Sequence, residues 1–386
     1  MGWPPGGIKV GRDLEKPTGG GAHGRTQLDR ARRHDDRRRP RLSPDVGGEG
    51  SGEGPGGPPS CSVVVCTFTE ARWDDLLVAA KSVRAQSLPP VETIIVVDHN
   101  EGLLRRARQE LRNVRVLANS HMRGASGARN TGAEMACGEV VAFLDDDAQA
   151  SSTWLSELVG PFRDPAVAGV GGAASPVWPG RAPGWFPPEF GWVVGCSYRG
   201  LPSTSGPVRN PVGTNMAARR ALMLAVGGFR EGFGNVVLAS PEDASPPRLS
   251  TCEETDFCIR VATARPGSRW LYEPAARVRH RVPPSRTTFR HFLSRCWLEG
   301  RGKAALAHAV GPGKALASER AYVLNVLPGG VGRGLRDAGR GDWAGALRAG
   351  AIAAGLGTTA VSYLVARHLR DPGGSQAALG APTPRA

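Results

Sequence analysis

Between residues 61 and 145, apolar runs rich in β-branched residues alternate with longer stretches of helical periodicity, and few folds accept that order. The apolar runs are "CSVVVCTF", "VETIIVVD", "NVRVLAN" and "EVVAFLD". They read as strands covered on both sides. The intervening "WDDLLVAAKSVRAQS", "EGLLRRARQEL" and "GASGARNTGAEMA" read as helices. In the first of these, Leu76, Leu77, Ala80 and Val83 form the expected apolar stripe, and acidic residues open it, as suits a helix N-terminus. Three such alternations predict an α/β protein with a doubly wound, mainly parallel sheet and helices on each face.

A sheet of that kind binds its ligands beyond the carboxyl ends of the strands. Those ends read Thr67 and Phe68, then Asp98, then Asn119, then the triplet Asp145, Asp146 and Asp147. Three carboxylates at the tip of an apolar strand call for a ligand, the more so in a chain of net charge +14. Asp145 and Asp147 are two apart, so in extended backbone they face one way and Asp146 the other. Paired oxygen donors suit a hard divalent cation, Mg²⁺ or Mn²⁺, which completes its shell from water and substrate phosphate. Such a cation neutralises a diphosphate leaving group. The alternative is an acidic strand end facing solvent.

The order "VVVCTF", "IIVVD", "RGASGARNTGA", "VVAFLDDDA", "GTNMAARRALMLAVGGF" and "CEETDFCIRV" resembles the family 2 glycosyltransferases across about residues 60–303. These are inverting enzymes of the GT-A fold, whose crevice binds a nucleotide-diphospho-sugar. The resemblance implies that Asp98 contacts the nucleotide base, although His99 stands where the family usually has a second aspartate. Thr67 and Asn119 border the same pocket, and Arg129 in "GARN" falls near the nucleotide. In the D-x-D motif it makes Asp147 the direct metal ligand and sets Asp145 nearer the ribose, with Asp146 serving if the register differs. His280, in "WLYEPAARVRH", resembles a histidine that completes the metal or diphosphate site; otherwise a strand histidine is structural.

Single displacement with inversion also needs a carboxylate on the far side of the sugar to take the acceptor's proton. The family shows Glu-Asp at that point, and this chain has Glu253 and Glu254, so the resemblance gives the role of base to Glu254 with one extra methylene. Complementing a helix N-terminus is the plainer explanation of Glu253, Glu254 and Asp256. Glu253 and Asp256, with Trp192, Arg295 and Arg301, are expected on the acceptor or phosphate side. Six of the 23 aromatic residues lie between 178 and 198, among Pro-rich breaks, as a loop lining an acceptor channel would. Core packing explains them equally. This stretch resembles the enzymes that act on polyprenyl-phosphate-linked sugars.

Residues 1–59, rich in Gly, Pro and Arg without apolar periodicity, read as a disordered tail, and the apolar core of a secretory signal is missing from them. Residues 60–303 form the expected catalytic domain and 304–386 a basic, apolar helical region with a disordered end. Residues 260–386 hold 20 Lys and Arg against 6 Asp and Glu, which points to a polyanionic partner. Residues 349–366 carry no charge and are at the short limit for a membrane span. Peripheral attachment to the cytoplasmic face of an anionic membrane is the expectation, with a single C-terminal span as runner-up and a soluble capping helix weighing equally against either.

Seven scattered cysteines, without a C-x-x-C pair, exclude a zinc ribbon and a disulfide framework. A nucleic-acid partner fails because no recognition module interleaves aromatic with basic residues. A sugar nucleotidyltransferase would need a Gly-rich phosphate loop after the first strand, and "CTFTEARWDD" is not one. The expected partners are a nucleotide-sugar donor, with UDP favoured, and a glycan or polyprenyl-phosphate-linked sugar acceptor. A non-catalytic sugar-nucleotide binder is the remaining alternative.

Overall fold

The structure, a computed structural model, describes residues 57–231 and 251–368. The tail expected over 1–59 lies outside them, apart from residues 57–59. The first four strands, β1 (Cys61–Thr67), β2 (Glu92–Val97), β3 (Arg115–Ala118) and β4 (Val140–Asp145), run parallel in the order β3-β2-β1-β4. Helices α1 (Trp73–Arg84), α2 (Glu101–Glu110) and α3 (Ala125–Met135) connect them. Alternate residues of β1 explain the unbroken apolar run. Val63 and Val65 enter the core beneath α1 and α2, whereas Val64 enters the core beneath α3. Each buried valine or isoleucine contributes about 1.5–3 kcal/mol by removal from water, so neither face tolerates a polar residue. The stripe on α1 differs from the expected one: Trp73, Leu76, Ala79 and Val83 are buried, and Leu77 is exposed.

The second half of the sheet departs from the parallel pattern. It contains β5 (Ala148–Ala150), α4 (Trp154–Val159), β6 (Val167–Val177), β7 (Gly206–Val208), β8 (Asn215–Arg219), α5 (Arg220–Ala225), α6 (Glu253–Ala264) and β9 (Arg269–Arg281). Strand β8 lies antiparallel between β4 and β6, and β9 then pairs parallel with β6. The nine-stranded sheet is therefore mixed, in the order β3-β2-β1-β4-β8-β6-β9-β5, with β7 on β9. Asn215, fully buried on β8, ties this half together. Its Oδ1 accepts from Trp154 Nε1 at 2.8 Å, and its Nδ2 donates to the carbonyls of Ala173 and Ala276.

Helix α7 (Phe289–Val310) runs without break past residue 303. Short helices α8 (Pro312–Ala315) and α9 (Ala317–Ala321) and a π turn at 322–326 lead to α10 (Leu327–Gly339) and α11 (Trp343–His368). By length and composition α11 is able to cross a membrane. One of its faces packs closely on α7: a Cβ at Gly300 would collide with the Thr359 carbonyl, and Ser362 Oγ donates to the Trp297 carbonyl at 2.5 Å. On α7 itself Phe292, Cys296 and Gly300 are buried, while Phe289 and Trp297 remain partly exposed. Phe190 joins the same C-terminal core, with its ring 5.1 Å from that of Phe292.

Candidate functional site

The carboxyl ends of β1, β2 and β4 border one cavity of about 1150 Å³. At the end of β2, Asp98 Oδ1 accepts from Asn119 Nδ2 at 2.6 Å and Oδ2 from the Gly124 amide at 2.9 Å. Asn119 does not itself line the cavity. Its Oδ1 accepts from Thr131 Oγ1 and the His121 amide, so it holds Asp98 in place rather than reaching a ligand. His99 adopts a left-handed φ of 48° and sets its Nδ1 2.9 Å from Asp98 Oδ1.

Asp146 and Asp147 make the turn between β4 and β5. The divergence expected from extended backbone is kept across this turn. Donor atoms of Asp145, Asp147 and His280 all lie within 4.8 Å of one another. Asp146 stands outside that group, its Oδ1 accepting at 2.7 Å from Arg72 Nη1, which also lies 3.1 Å from Asp147 Oδ2. The pairing β5·β9 delivers the histidine, since Ala148 faces His280 across antiparallel strands. His280 Nε2 stands 3.1 Å from Asp147 Oδ1. Burial pushes the Asp146 carboxyl up to about 6, against the pull of Arg72. Burial opposes ionisation of Asp147 too, yet His280, Arg72 and Arg286 outweigh it and hold that carboxyl at about 2. Burial likewise opposes protonation of His280, and Asp147 overcomes it, raising the imidazole to about 10. Asp146 Oδ2 is buried without a hydrogen-bond partner, and Asp147 Oδ1 has the His280 imidazole beside it. Two carboxylates and an imidazole converging on one point fit a hard divalent cation.

On the opposite wall, α6 begins at Glu253 after Cys252, whose φ of 78° costs about 1 kcal/mol or more for a side-chain-bearing residue. Glu254 keeps 19% of its side chain exposed, toward the cavity. Burial and then the neighbouring Glu253 carboxylate push its pKa up to about 8. Arg129, from α3, joins the two walls: Nη1 lies 3.6 Å from Glu254 Oε1 and 3.4 Å from Glu253 Oε1, and Nη2 lies 3.7 Å from Asp145 Oδ1. Burial opposes the charge on Arg129, but these three carboxylates hold it firmly protonated. Gly213 leaves the space that the Glu254 carboxylate occupies, because a Cβ there would collide with Oε1. Behind α6, a Cβ at Gly302 of α7 would collide with Thr251 Oγ1, so the two elements touch backbone to side chain.

The cavity also takes in Thr67, Trp192 and Arg295. Besides Asn119, two expected residues lie elsewhere. Asp256 is fully buried against Arg260 Nε at 2.8 Å, because two residues along a helix turn a side chain by about 200° from Glu254. Arg301 is exposed and off the lining; six residues beyond Arg295 it has rotated about a third of a turn away. Among the lining residues that escaped the sequence reasoning are Arg72, Arg286 and His291. Arg72 had a signal, standing five residues past the end of β1, close to an acidic strand tip. Lys303 is committed to a buried network, 3.2 Å from Glu299 and 2.5 Å from Glu319, with Arg209 pairing Glu319 at 2.6 Å.

Residues 62–226 match the model of the family described as glycosyl transferase family 2. A glucosyl-dolichyl phosphate glucuronosyltransferase of Haloferax volcanii is 35% identical over 249 residues, 64% of this chain and 76% of that one. A pre-mycofactocin glycosyltransferase of Mycobacterium tuberculosis is 30% identical over 199 residues, 50% of this chain and 37% of its own. Among solved structures, a mannosyltransferase from Pyrobaculum calidifontis in complex with GDP-Man and Mn²⁺ superposes with a TM-score of 0.49 at 19% identity, covering 80% of this chain and 88% of that one. With the motifs in order and three quarters of a relative matched at that identity, the chain belongs to glycosyl transferase family 2.

Proposed function

We propose that this glycosyltransferase moves a sugar from a UDP-sugar to a hydroxyl of a polyprenyl-phosphate-linked sugar by one inverting displacement, with Glu254 as the base. Asp145, Asp147 and His280 would hold Mg²⁺ or Mn²⁺. Bound there, the cation supplies charge neutralisation for the departing diphosphate. Asp98, fixed by Asn119 and the Gly124 amide, receives the nucleotide base; Thr67 borders that pocket. Arg129 steadies the donor side and Glu254 together. Glu254 orients the acceptor hydroxyl and takes its proton, with Glu253 beside it. The name of the Haloferax volcanii relative supports the acceptor class and makes a glucuronosyl donor one of the first to try. The basic C-terminal helices suit peripheral attachment at the cytoplasmic face of the membrane.

The observation that carries the mechanism is Arg129, whose guanidinium touches both the D-x-D acid Asp145 and the carboxylate of Glu254. Donor-side and acceptor-side acids therefore face each other across one residue. The test is calorimetric binding and transfer with Mn²⁺ and a panel of UDP- and GDP-sugars. Asp147→Ala should lose donor binding along with turnover. Glu254→Gln should keep binding and lose transfer by about 100-fold or more. Equal transfer by Glu254→Gln and wild type would remove Glu254 from the role.

A further inference from the structure

The cavity is not uniform. Its strand-end portion is charged, and beyond the ion-paired Arg209, Glu299, Lys303 and Glu319, which also line it, the cavity takes in an aromatic and aliphatic wall of Trp192, Tyr322, Val326, Leu356, Tyr363 and Leu364. None of the last five falls in the stretch that matches the family model, which ends at residue 226. They come from the π turn and α11, elements that fold against the Phe190–Phe292 core. Leu356 and Tyr363 are half-buried, while Ala360 and Leu364, also on the lining, are exposed at the rim. Where the charged and apolar portions meet, the first turns of α7 and the segment before it supply Arg286, His291 and Arg295. This cluster has the Asp147 and Arg72 side chains on one flank. On the other is the backbone of Val193, next to Trp192. Burial, then Arg286 and Arg295, push the His291 imidazole down to about 4, so at neutral pH it is an uncharged hydrogen-bonding group between two cations.

We infer that the apolar branch is the slot for the polyprenyl chain of the acceptor, with α11 as its outer wall and its phosphate met by Arg286 and Arg295. The chemistry of the occupant follows from the sequence of linings: a hydroxyl beside Glu254, an anion beside two guanidinium groups, then an extended apolar tail. A free glycan would leave the last portion unfilled. The uncharged run at 349–366 is then a chain-binding wall rather than a span. Its small-residue face is used up on α7, where Thr359 Oγ1 donates to the Cys296 carbonyl at 3.2 Å and Ser362 Oγ to that of Trp297. The face that remains, with Val361, Leu364 and Val365 exposed, borders the mouth of the slot, where a chain held in a bilayer would enter.

The slot rests on the acceptor class proposed above, and one experiment separates the two. Full-length enzyme, with Mn²⁺ and its UDP-sugar, is given glucosyl phosphoryl prenols bearing either a short water-soluble chain or a long polyprenyl chain. Wild type should show a KM for the long chain lower by about tenfold or more, since each buried methylene adds to binding. Ala360→Trp and Leu364→Lys, both at exposed positions, should reduce that preference to about threefold or less. Gly357→Leu, on α11 where an added Cβ meets open space, should retain it. Transfer with no chain-length preference in wild type, or a preference unchanged in both wall variants, overturns the slot and leaves the acceptor class standing. No transfer to either prenol by enzyme that binds donor removes the acceptor class, and the slot with it. Weakened sedimentation of Ala360→Trp with acceptor-free phosphatidylglycerol vesicles, with chain-length preference intact, would assign the branch to bilayer phospholipid and also overturn the proposal.

Discussion

Glu254 is held in a space that only glycine at position 213 leaves open, and catalysis by a positioned carboxylate is sensitive to displacements of about an ångström. Gly213→Ala should therefore lower kcat by about 10–100-fold, with Tm nearly unchanged, because the colliding atom is the free end of a side chain and not backbone. The pH profile carries a further sign in the same experiment. Burial raises the Glu254 carboxyl to about 8, and a base acts when deprotonated. Wild-type kcat/KM should rise with pH toward about 8, and an acid-side limb centred near the ordinary carboxylate range would contradict the assignment. Residue by residue, most of the crevice was legible in the sequence because its members end apolar strands, where polarity stands out. Asp256 was misplaced because a linear reading weights proximity to Glu254, while a helix places two-apart residues on nearly opposite sides. Arg286 and His291 were overlooked because nothing local sets them apart; only the fold brings Arg286 beside Asp147 and His291 beside Arg286.

At the scale of elements, the first four strands were readable for the reason they are stable, since both of their faces are covered. Strand β6 was not. Its "VAGVGGAASPV" has neither alternation nor bulk, because neighbours fill the space its side chains would take. A Cβ at Gly169 would collide with the Trp270 ring and one at Gly171 with Pro211. The antiparallel insertion of β8 depends on such non-local fits, and a single sequence does not display them. The α7–α11 contact follows the same rule and gives a stability prediction. Alanine in place of glycine favours an exposed helix by about 1 kcal/mol, but overpacking against backbone costs about 1–3 kcal/mol. Gly300→Ala should accordingly lower the denaturation midpoint, because its Cβ meets the Thr359 carbonyl, while Gly350→Ala, with nothing near its Cβ, should raise it. Urea titrations of the two variants side by side check both signs.

For the whole molecule, charge and catalysis are segregated. Residues 260–386 carry a surplus of cations, and Arg336, Arg340 and Arg367 of α10, its C-cap and α11 are exposed beside Leu335, Leu347 and Leu364. Such a surface should bind vesicles containing anionic lipid and release them as salt shortens the Debye length from about 10 Å at 0.1 M to about 3 Å at 1 M. Cosedimentation that ignores both lipid charge and salt would show that attachment is not electrostatic. Family membership and the donor half of the enzyme were visible from motif order alone. The way the C-terminal region embraces the acceptor side was not, since it rests on glycines whose partners are 50 or more residues away.

Helix α7 is bare at two points, Gly300 toward α11 and Gly302 toward Thr251, two residues ahead of the helix that bears Glu253 and Glu254. On the proposed mechanism and acceptor slot, one rod thus serves as the ruler for two distances, that from Glu254 to the sugar and that from the α11 wall to the chain. A graft that brings a different C-terminal segment onto this scaffold, in order to change the lipid it accepts, has to import α7 as well. Otherwise it will detune a reaction it was never meant to touch.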